Sequence, residues 1–442
     1  MRVAVVGGGL AGIAAALRLA DAGAAVTLLE AKPRLGGLTH SFRRGDHWVD
    51  NGQHVFLRCC VDYLALLDRL GVADRVHLQP RLDIPVRRPG RPAPYRLRRN
   101  RLPAPLHLSG SILRYGPLSV PQRLRFGTAA LALRRVDRTS AAADRQSFGG
   151  WLAAHGQSRR AVDALWDLVG VATLNATADE ASLALAATVF QLGLLTDAAA
   201  GDVGWSRVPL QELHGDAAAA ALSTAEVRCG AKASALRRDG DGWVVELRGG
   251  EVPADQVVLA VPPPEAARLL PEGATGLPAG WAEELGSAPI VNVHVWFDRT
   301  VLDGPFSAGV DSPVQWVFDR TSQAGVHSGQ YLAVSLSAAR QWIDLPTAAI
   351  RERIVPALLD LLPAARHAGV QDFFVTRERH ATFAPAPGTS ALRPGPVTNL
   401  PGLFLAGAWT GTGWPATMEG AVRSGNAAAA ALLSQTRTAV RL

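Results

Sequence analysis

Short β-branched runs stopped by glycine or proline alternate along this chain with longer stretches of small apolar residues. Val3–Val6 is apolar at every position, as a strand buried on both faces of a parallel sheet is. Residues 10–22 carry the periodicity of an alanine-rich helix, and Ala25–Leu29 is a second apolar strand that ends in Glu30. An amphipathic helix is expected at Asp62–Leu70. Residues 81–105, rich in Pro and Arg, read as a boundary or an irregular strand pair, and residues 106–200 are mainly helical in pattern. Val227–Arg237 and Trp243–Leu247 alternate around Asp239-Gly-Asp-Gly242, which is a hairpin signal. Val257–Val261 is a buried strand stopped by three prolines, and Ile290–Phe297 and Tyr331–Ser335 are alternating strands. A helix is expected over 347–362, Leu403–Ala406 is the last strand, and the last helix starts near Met418. No internal repeat is visible.

The first strand runs into Gly7, Gly9 and Gly12, spaced G-x-G-x-x-G. The first glycine permits a tight turn, the second lets backbone approach a pyrophosphate, and the third lets helix and strand pack closely. Leu10 and Ala11 open the helix, whose first amides and dipole favour an anion by roughly 0.3–1 kcal/mol. Glu30, followed by Ala31, lies 18 residues after Gly12, close to where a ribose hydroxyl is bound. Strand, glycines, helix, strand and acid in this order point to a nucleotide. The plainer alternative is a structural glycine turn with Glu30 as a solvated strand end. Arg34-Leu-Gly-Gly-Leu-Thr39 follows at once; Gly36 and Gly37 would let backbone pass a second phosphate or a ribityl chain, with Arg34 as a cation and Lys32 as a solvated neighbour. A second glycine-rich turn, Leu405-Ala-Gly-Ala-Trp-Thr-Gly-Thr-Gly-Trp-Pro-Ala-Thr-Met418, leads into the final helix some 400 residues later. A nucleotide gripped from both ends of a chain implies a large, two-headed ligand, FAD more than NAD. The fold class expected is α/β: a Rossmann-type FAD-binding domain assembled from residues 1–80, 206–275 and 395–442, with an inserted α+β substrate domain of 81–205 and 276–394.

Of the 45 basic residues only Lys32 and Lys232 are lysines, and the net charge is +7. Residues 81–138 hold fourteen arginines against Asp83 and Asp137, more than the whole chain's excess. The cysteines are Cys59, Cys60 and Cys229, with no metal spacing, so neither a disulfide framework nor a metal site is expected, and a reducing, intracellular compartment fits. The N-terminus begins with a strand rather than a signal peptide. The longest uncharged apolar stretch, between Glu180 and Asp197, is 16 residues and too short to span a bilayer. A cytoplasmic protein is expected, soluble or peripheral on the inner face of the cell membrane.

Both ends and several middle segments resemble the amine-oxidase and phytoene-desaturase group of FAD flavoproteins, and within it the bacterial hydroxysqualene dehydroxylase family of hopanoid biosynthesis. The segments are Asp50-Asn-Gly-Gln-His54, Leu174-Asn-Ala-Thr-Ala-Asp-Glu-Ala181, Val208-Pro-Leu-Gln-Glu-Leu-His-Gly215, Arg379-His-Ala-Thr-Phe383 and Thr412–Gly425, and they span nearly the whole chain. The resemblance implies FAD stretched between two domains. Its adenine end would meet Gly7–Gly12, Glu30 and Val227. Its pyrophosphate and ribityl region would meet Arg34, Gly36, Gly37, Leu38, Thr39 and the Gly407 turn. Its ring would meet Gly52, Gln53, His54, Trp414, Pro415, Ala416, Met418 and Glu419. The chain departs from its relatives at Ala408, where an acid usually bonds a ribityl hydroxyl; one such bond is worth about 0.5–1.5 kcal/mol.

The activity implied is reductive removal of a hydroxyl from an allylic alcohol, giving squalene: water leaves after protonation, and a hydride from reduced flavin quenches the allylic cation. His54 is the first candidate acid, since a histidine suits proton transfer near neutral pH; the alternative is that it only contacts the cofactor or fills a turn. Asp50 reads as a backbone-bonding turn residue and His380 as a strand-end residue. No Ser/His/Asp set competes. A C30 hydrocarbon gains little by leaving lipid for an apolar pocket, so access to the bilayer is expected. The arginine-rich segment, with apolar Leu124–Leu133 beside it, could dock on anionic lipid, or could be a solvated face. Nucleic acid is not an expected partner, whereas squalene-pathway synthases are possible ones. Two other functions stay open: a carotenoid-type desaturase, which moves the hydride from substrate to flavin, and a flavin-fold isoprenoid carrier, for which Ala408 alone speaks.

Overall fold

In the computed structural model, which describes residues 1–439, the run after Met1 is the middle of a five-stranded, all-parallel sheet. Its order in space is Glu226–Cys229, Ala25–Glu30, Arg2–Val6, Gln256–Leu259, Leu403–Leu405. Val5 sits between Leu28 and Val258, all three fully buried, which is why Val3–Val6 and Val257–Leu259 are apolar at successive positions rather than alternating. Three separated parts of the chain contribute strands to this one sheet.

The first helix, Leu10–Asp21, packs against the final helix, Met418–Ala439. Gly425 makes that contact possible: a Cβ there would lie 2.1 Å from the Ala11 carbonyl oxygen. The two ends of the chain are thereby fused into one layer on the sheet. Residues 227–237, expected as a single strand, are two strands in two sheets. Glu226–Cys229 joins the parallel sheet, Gly230 turns the chain at φ 74°, and Ala233–Asp239 then pairs with Gly242–Leu247 in the expected hairpin. The break follows from the turn residue, since a left-handed φ is open to glycine and ends the extended run.

The second large sheet has seven strands, ordered Val370–Phe383, Ser287–Phe297, Gln330–Leu336, Trp316–Asp319, Phe306–Gly309, Asp83–Arg87, Tyr95–Arg98. The Pro- and Arg-rich segment is therefore the irregular strand pair at one edge. Val291, Val293 and Val295 bury one face against the helix Thr347–Leu361. Asn292, His294 and Trp296, one position out of phase, bury the other face towards a hairpin, Ser41–Arg44 with His47–Asp50. That hairpin and the 14-residue strand Val370–Phe383 are elements the pattern did not announce. The long strand lies at the sheet edge and is charged or polar at most positions, the composition that keeps edges from pairing with other chains and that hides a strand from a hydrophobic-pattern reading. Residues 106–200 are helical as expected. Among the described residues no helix is long and apolar enough to cross a membrane and no cluster could hold a metal ion.

Candidate functional site: a cleft between two glycine turns

Because the five strands are parallel, Gly7 and Gly407 leave the sheet at the same edge, where α/β sheets bind ligands. The Gly7 N–H donates to the Leu29 carbonyl at 2.7 Å, and a Cβ on Gly7 would be 2.3 Å from the Ala260 carbonyl oxygen. A Cβ on Gly12 would be 1.8 Å from the Gly7 carbonyl oxygen. Gly9 is the N-cap of the first helix and offers no side chain to the first-turn amides, which remain available to an anion. Leu10 and Ala11 are buried in that turn. Gly37, at φ 56°, lies against Gly9: a Cβ on Gly37 would be 2.8 Å from the Gly9 Cα. The two glycine segments thus form one narrow backbone cradle.

Glu30 is buried, and its carboxylate accepts the Gly8 and Lys32 N–H groups, each at 2.7 Å. Each oxygen keeps a lone pair that a ribose hydroxyl could use. Ala31 and Lys32 are exposed, and half-buried Val227 is on the strand beside Glu30. Arg34 donates to the Gly37 carbonyl at 3.2 Å; burial lowers its pKa while Glu30 and Glu378 oppose the shift. Thr39 is buried and donates to the Gly36 carbonyl at 2.8 Å, whereas Leu38 stands exposed.

The Asp50–His54 segment is tied to the end of the second glycine segment: Asn51 Nδ2 donates to the Leu38 carbonyl at 2.9 Å, and the Asn51 N–H donates to the His40 carbonyl at 2.9 Å. Asp50 accepts Ser41 Oγ at 2.6 Å and the Leu210 N–H at 3.1 Å, and pairs with Arg320 in a buried ion pair, so it acts as the turn anchor expected. A Cβ on Gly52 would meet the His54 ring at 3.3 Å and Asn292 Nδ2 at 3.4 Å. His54 Nδ1 donates to the Gly52 carbonyl at 3.2 Å. Burial lowers the His54 pKa, with Asp50 pulling the other way. Burial also lowers His40 to about 4 and His214 to about 3, so the three imidazoles near this segment are neutral at pH 7. Gln53 Nε2 and Asn292 Oδ1 are buried without a hydrogen-bond partner in the protein. Unsatisfied buried polar atoms are costly, and two of them beside the cradle fit a site built for a polar ligand. His380 is exposed inside the strand Val370–Phe383, three residues before its end, and is bonded to Ser287 Oγ at 2.8 Å.

On the C-terminal side, Gly407 takes φ 137° and its N–H donates to Ser424 Oγ at 2.8 Å. Half-buried Ala408 follows, then Trp414 with the Arg423 guanidinium 5.0 Å over its ring, buried Pro415, and Ala416. Met418 opens the final helix. Glu419 faces away from the turn: its carboxylate accepts the Tyr63 N–H at 2.7 Å and Arg423 Nε at 2.7 Å, and so caps the helix Val61–Arg69. The sequence reading missed Arg393, Asn292 and Thr376. Arg393 donates to four carbonyls of the 408–414 turn, and nothing in its local sequence marks it. Asn292 was findable, as a polar residue on an otherwise apolar strand; Thr376 lay in the unread edge strand, and both donate to the Asn51 carbonyl.

A cradle of backbone amides, a carboxylate at its ribose end and a second turn across the cleft suit a dinucleotide with a ring at its far end. Comparisons with known proteins agree. Residues 10–433 match the family model for flavin containing amine oxidoreductase. The chain is 30% identical to hydroxysqualene dehydroxylase of Rhodopseudomonas palustris over 98% of this chain and 99% of that protein. It is 25% identical to 15-cis-phytoene desaturase of Synechococcus elongatus over 98% and 96% of the two chains. Putrescine oxidase superposes with a TM-score of 0.72 at 19% identity, covering 98% of this chain and 99% of that one. Cyclohexylamine oxidase of Brevibacterium oxydans does so with a TM-score of 0.70, also at 19% identity, covering 99% of both chains. The chain belongs to the flavin containing amine oxidoreductase family and is an FAD-dependent oxidoreductase.

Proposed function

We propose that this enzyme reductively removes the hydroxyl of hydroxysqualene to give squalene. The observation that carries the reading is the end-to-end similarity to a hydroxysqualene dehydroxylase. Bound FAD, once reduced, supplies the hydride; the chain supplies the rest. Residues 1–80, 206–275 and 395–442 form the FAD-binding unit, and 81–205 and 276–394 enclose the substrate. Gly7–Gly12, Glu30, Ala31 and Val227 hold the adenine end. Arg34, Gly36–Thr39, Gly407 and Ala408 hold the diphosphate and ribityl chain. Gly52–His54, Trp414–Ala416, Met418 and the Glu419 amide surround the ring. His54 holds the proton given to the leaving hydroxyl. Its lowered pKa means that the acid form grows in below the ordinary histidine range, so turnover should fall as pH rises through that lowered value.

The competing reading is hydride removal from a polyene, favoured by the 25% identity to a phytoene desaturase. Incubating reduced holoenzyme with hydroxysqualene, and oxidised holoenzyme with phytoene, separates them. Squalene in the first arm with no change in the second is expected; desaturation of phytoene without squalene would replace our reading. A His54→Gln variant that keeps full turnover would remove His54 as the acid. The carrier alternative loses its basis, since the chain is an oxidoreductase.

The substrate is reached from an anionic membrane surface. Ten of the fourteen arginines in the arginine-rich segment fall into two groups. Arg88, Arg96, Arg98 and Arg99 are ion-paired with Asp311, Asp83 and Asp202 and belong to the sheet edge. Arg101, Arg114, Arg125, Arg134, Arg135 and Arg138 are exposed, and among the described residues none lies within 4 Å of a carboxylate. Beside them Leu102, Leu106, Leu113, Val120, Leu124 and Leu131 are 47–61% exposed. The helix Val120–Leu133 buries Ala129, Ala130 and Leu133, so Val120, Leu124 and Leu131 form a second, outward apolar stripe. Apolar residues rimmed by unpaired arginines suit a lipid interface, each arginine contributing about 1 kcal/mol. In flotation with anionic and neutral liposomes, the protein should rise only with the anionic ones, and Leu113→Ser/Leu124→Ser should weaken it. Equal behaviour with both lipids would contradict docking.

A further inference from the structure

Arg393 is 8% exposed. Its Nε donates to the Trp409 carbonyl at 3.1 Å. Its Nη2 donates to the carbonyls of Ala408, Thr410 and Trp414 at 3.4, 2.9 and 2.7 Å. The guanidinium lies 4.4 Å over the Phe383 ring. Among the described residues no carboxylate forms an ion pair with it; Asp144, buried and already bonded to Ser182 and Ser390, acts on it only through space. Burial lowers its pKa to about 10, so the group is a cation at every physiological pH.

Carbonyls satisfy the donors of a buried guanidinium but leave its net charge without a contacting counter-ion, opposed only at a distance by Asp144, which is expensive in a folded protein. A turn can be braced more cheaply by neutral groups, as Ser424 does one residue earlier by accepting the Gly407 N–H. The fixed charge therefore calls for a use beyond bracing. The carbonyls it grips belong to the turn that opens on the cofactor cleft. Ala408, whose carbonyl it grips, brings no carboxylate to offset the field. Reduction adds negative charge to a flavin, and nearby protein charge tunes its electronics.

We propose that Arg393 is a positioning residue for FAD that also sets its redox balance: it folds the 408–414 turn onto the cofactor, and its charge, which no contacting carboxylate neutralises, favours the reduced, more negative form over the oxidised form. The inference rests on FAD in this cleft and is independent of which isoprenoid is the substrate.

The test is the midpoint potential of bound FAD together with FAD affinity by titration of apoprotein, in wild type, Arg393→Lys, Arg393→Gln and Ala408→Asp. Arg393→Gln should lower the preference for reduced FAD at least tenfold, about 30 mV for a two-electron couple. Arg393→Lys keeps the charge and should keep most of the potential, although both variants bind FAD more weakly because the fork of donors is gone. Ala408→Asp leaves Arg393 in place and puts a carboxylate beside it. It should lower the potential in the same direction as Arg393→Gln while holding or tightening FAD. A wild-type potential in Arg393→Gln, or equal losses in Arg393→Lys and Arg393→Gln, would overturn the electrostatic role. If Arg393→Gln does not fold, Ala408→Asp decides: an unchanged potential overturns the proposal and a lowered one supports it.

Discussion

Gly12→Ala is expected to give a protein that is less stable and binds FAD poorly. The added Cβ would sit 1.8 Å from the Gly7 carbonyl oxygen, more than 1 Å inside any tolerable contact. Neither partner yields easily. Gly7 is tied to Leu29 by its N–H, and Gly12 lies in the first turn of a helix that packs against the final one. The turn must open, with an overpacking cost of about 1–3 kcal/mol or more. Felt at the cradle, that is roughly a five- to hundredfold loss of FAD affinity. Gly9→Ala is the informative contrast. A Cβ there meets only the Gly37 Cα, at 3.8 Å, and Gly9 has an ordinary φ of −77°. It should leave apoprotein melting nearly unchanged and still reduce FAD affinity, because the methyl occupies space the cradle keeps for the diphosphate. Thermal unfolding of both apoproteins, followed by flavin titration, checks the pair. Equal melting of Gly12→Ala and wild type would contradict the packing argument.

Arg320→Ala should be the most destabilising single change near the site. Arg320 and Asp50 form an ion pair in which both side chains are under a tenth exposed. Removing the cation strands a buried carboxylate, at a cost of about 3–5 kcal/mol. The damage spreads because the same carboxylate holds Ser41 and the Leu210 amide. Those contacts bind the 41–50 hairpin to the segment that begins the π-helical stretch Gln211–Asp216, where Gly215 comes close to Leu35: a Cβ on Gly215 would lie 2.7 Å from the Leu35 carbonyl oxygen. The double variant Asp50→Asn/Arg320→Met removes both charges, keeps an acceptor for Ser41 and Leu210, and should recover most of the loss. Urea midpoints of the two single variants and the double variant give the coupling directly. Additive losses would mean that the pair is not the unit we describe.

The parts of the fold that were legible in the sequence are those in which one physical rule acts alone. Val3–Val6, Val257–Leu259 and Leu403–Leu405 are buried on both faces and had to be apolar throughout, and Ala25–Leu29 buries Val26, Leu28 and Leu29, so the parallel sheet could be read from four short runs. Gly7 and Gly12 were legible because each is forced by a close backbone approach, and Gly9 was legible by its spacing between them. Residues 227–237 misled because alternation is the same in a parallel edge strand as in a hairpin, and only Gly230 marked the change of sheet. Val370–Phe383 escaped because a charged edge strand carries no hydrophobic signal. The site divides in the same way. Glu30 and the Asp50–His54 run were found locally, whereas Arg393, Asn292, Thr376 and the Arg320 partner of Asp50 act through contacts distant in sequence. Glu419 shows the converse: its place at the start of the last helix was read correctly, but its carboxylate serves a different helix, Val61–Arg69.

The most direct test of the proposed reaction is an anaerobic single turnover in D2O, with enzyme-bound FAD fully reduced and hydroxysqualene added in slight excess. Our account predicts one squalene per FAD reoxidised, carrying one non-exchangeable deuterium delivered from the flavin. No squalene, or squalene formed while the flavin stays reduced, would contradict it.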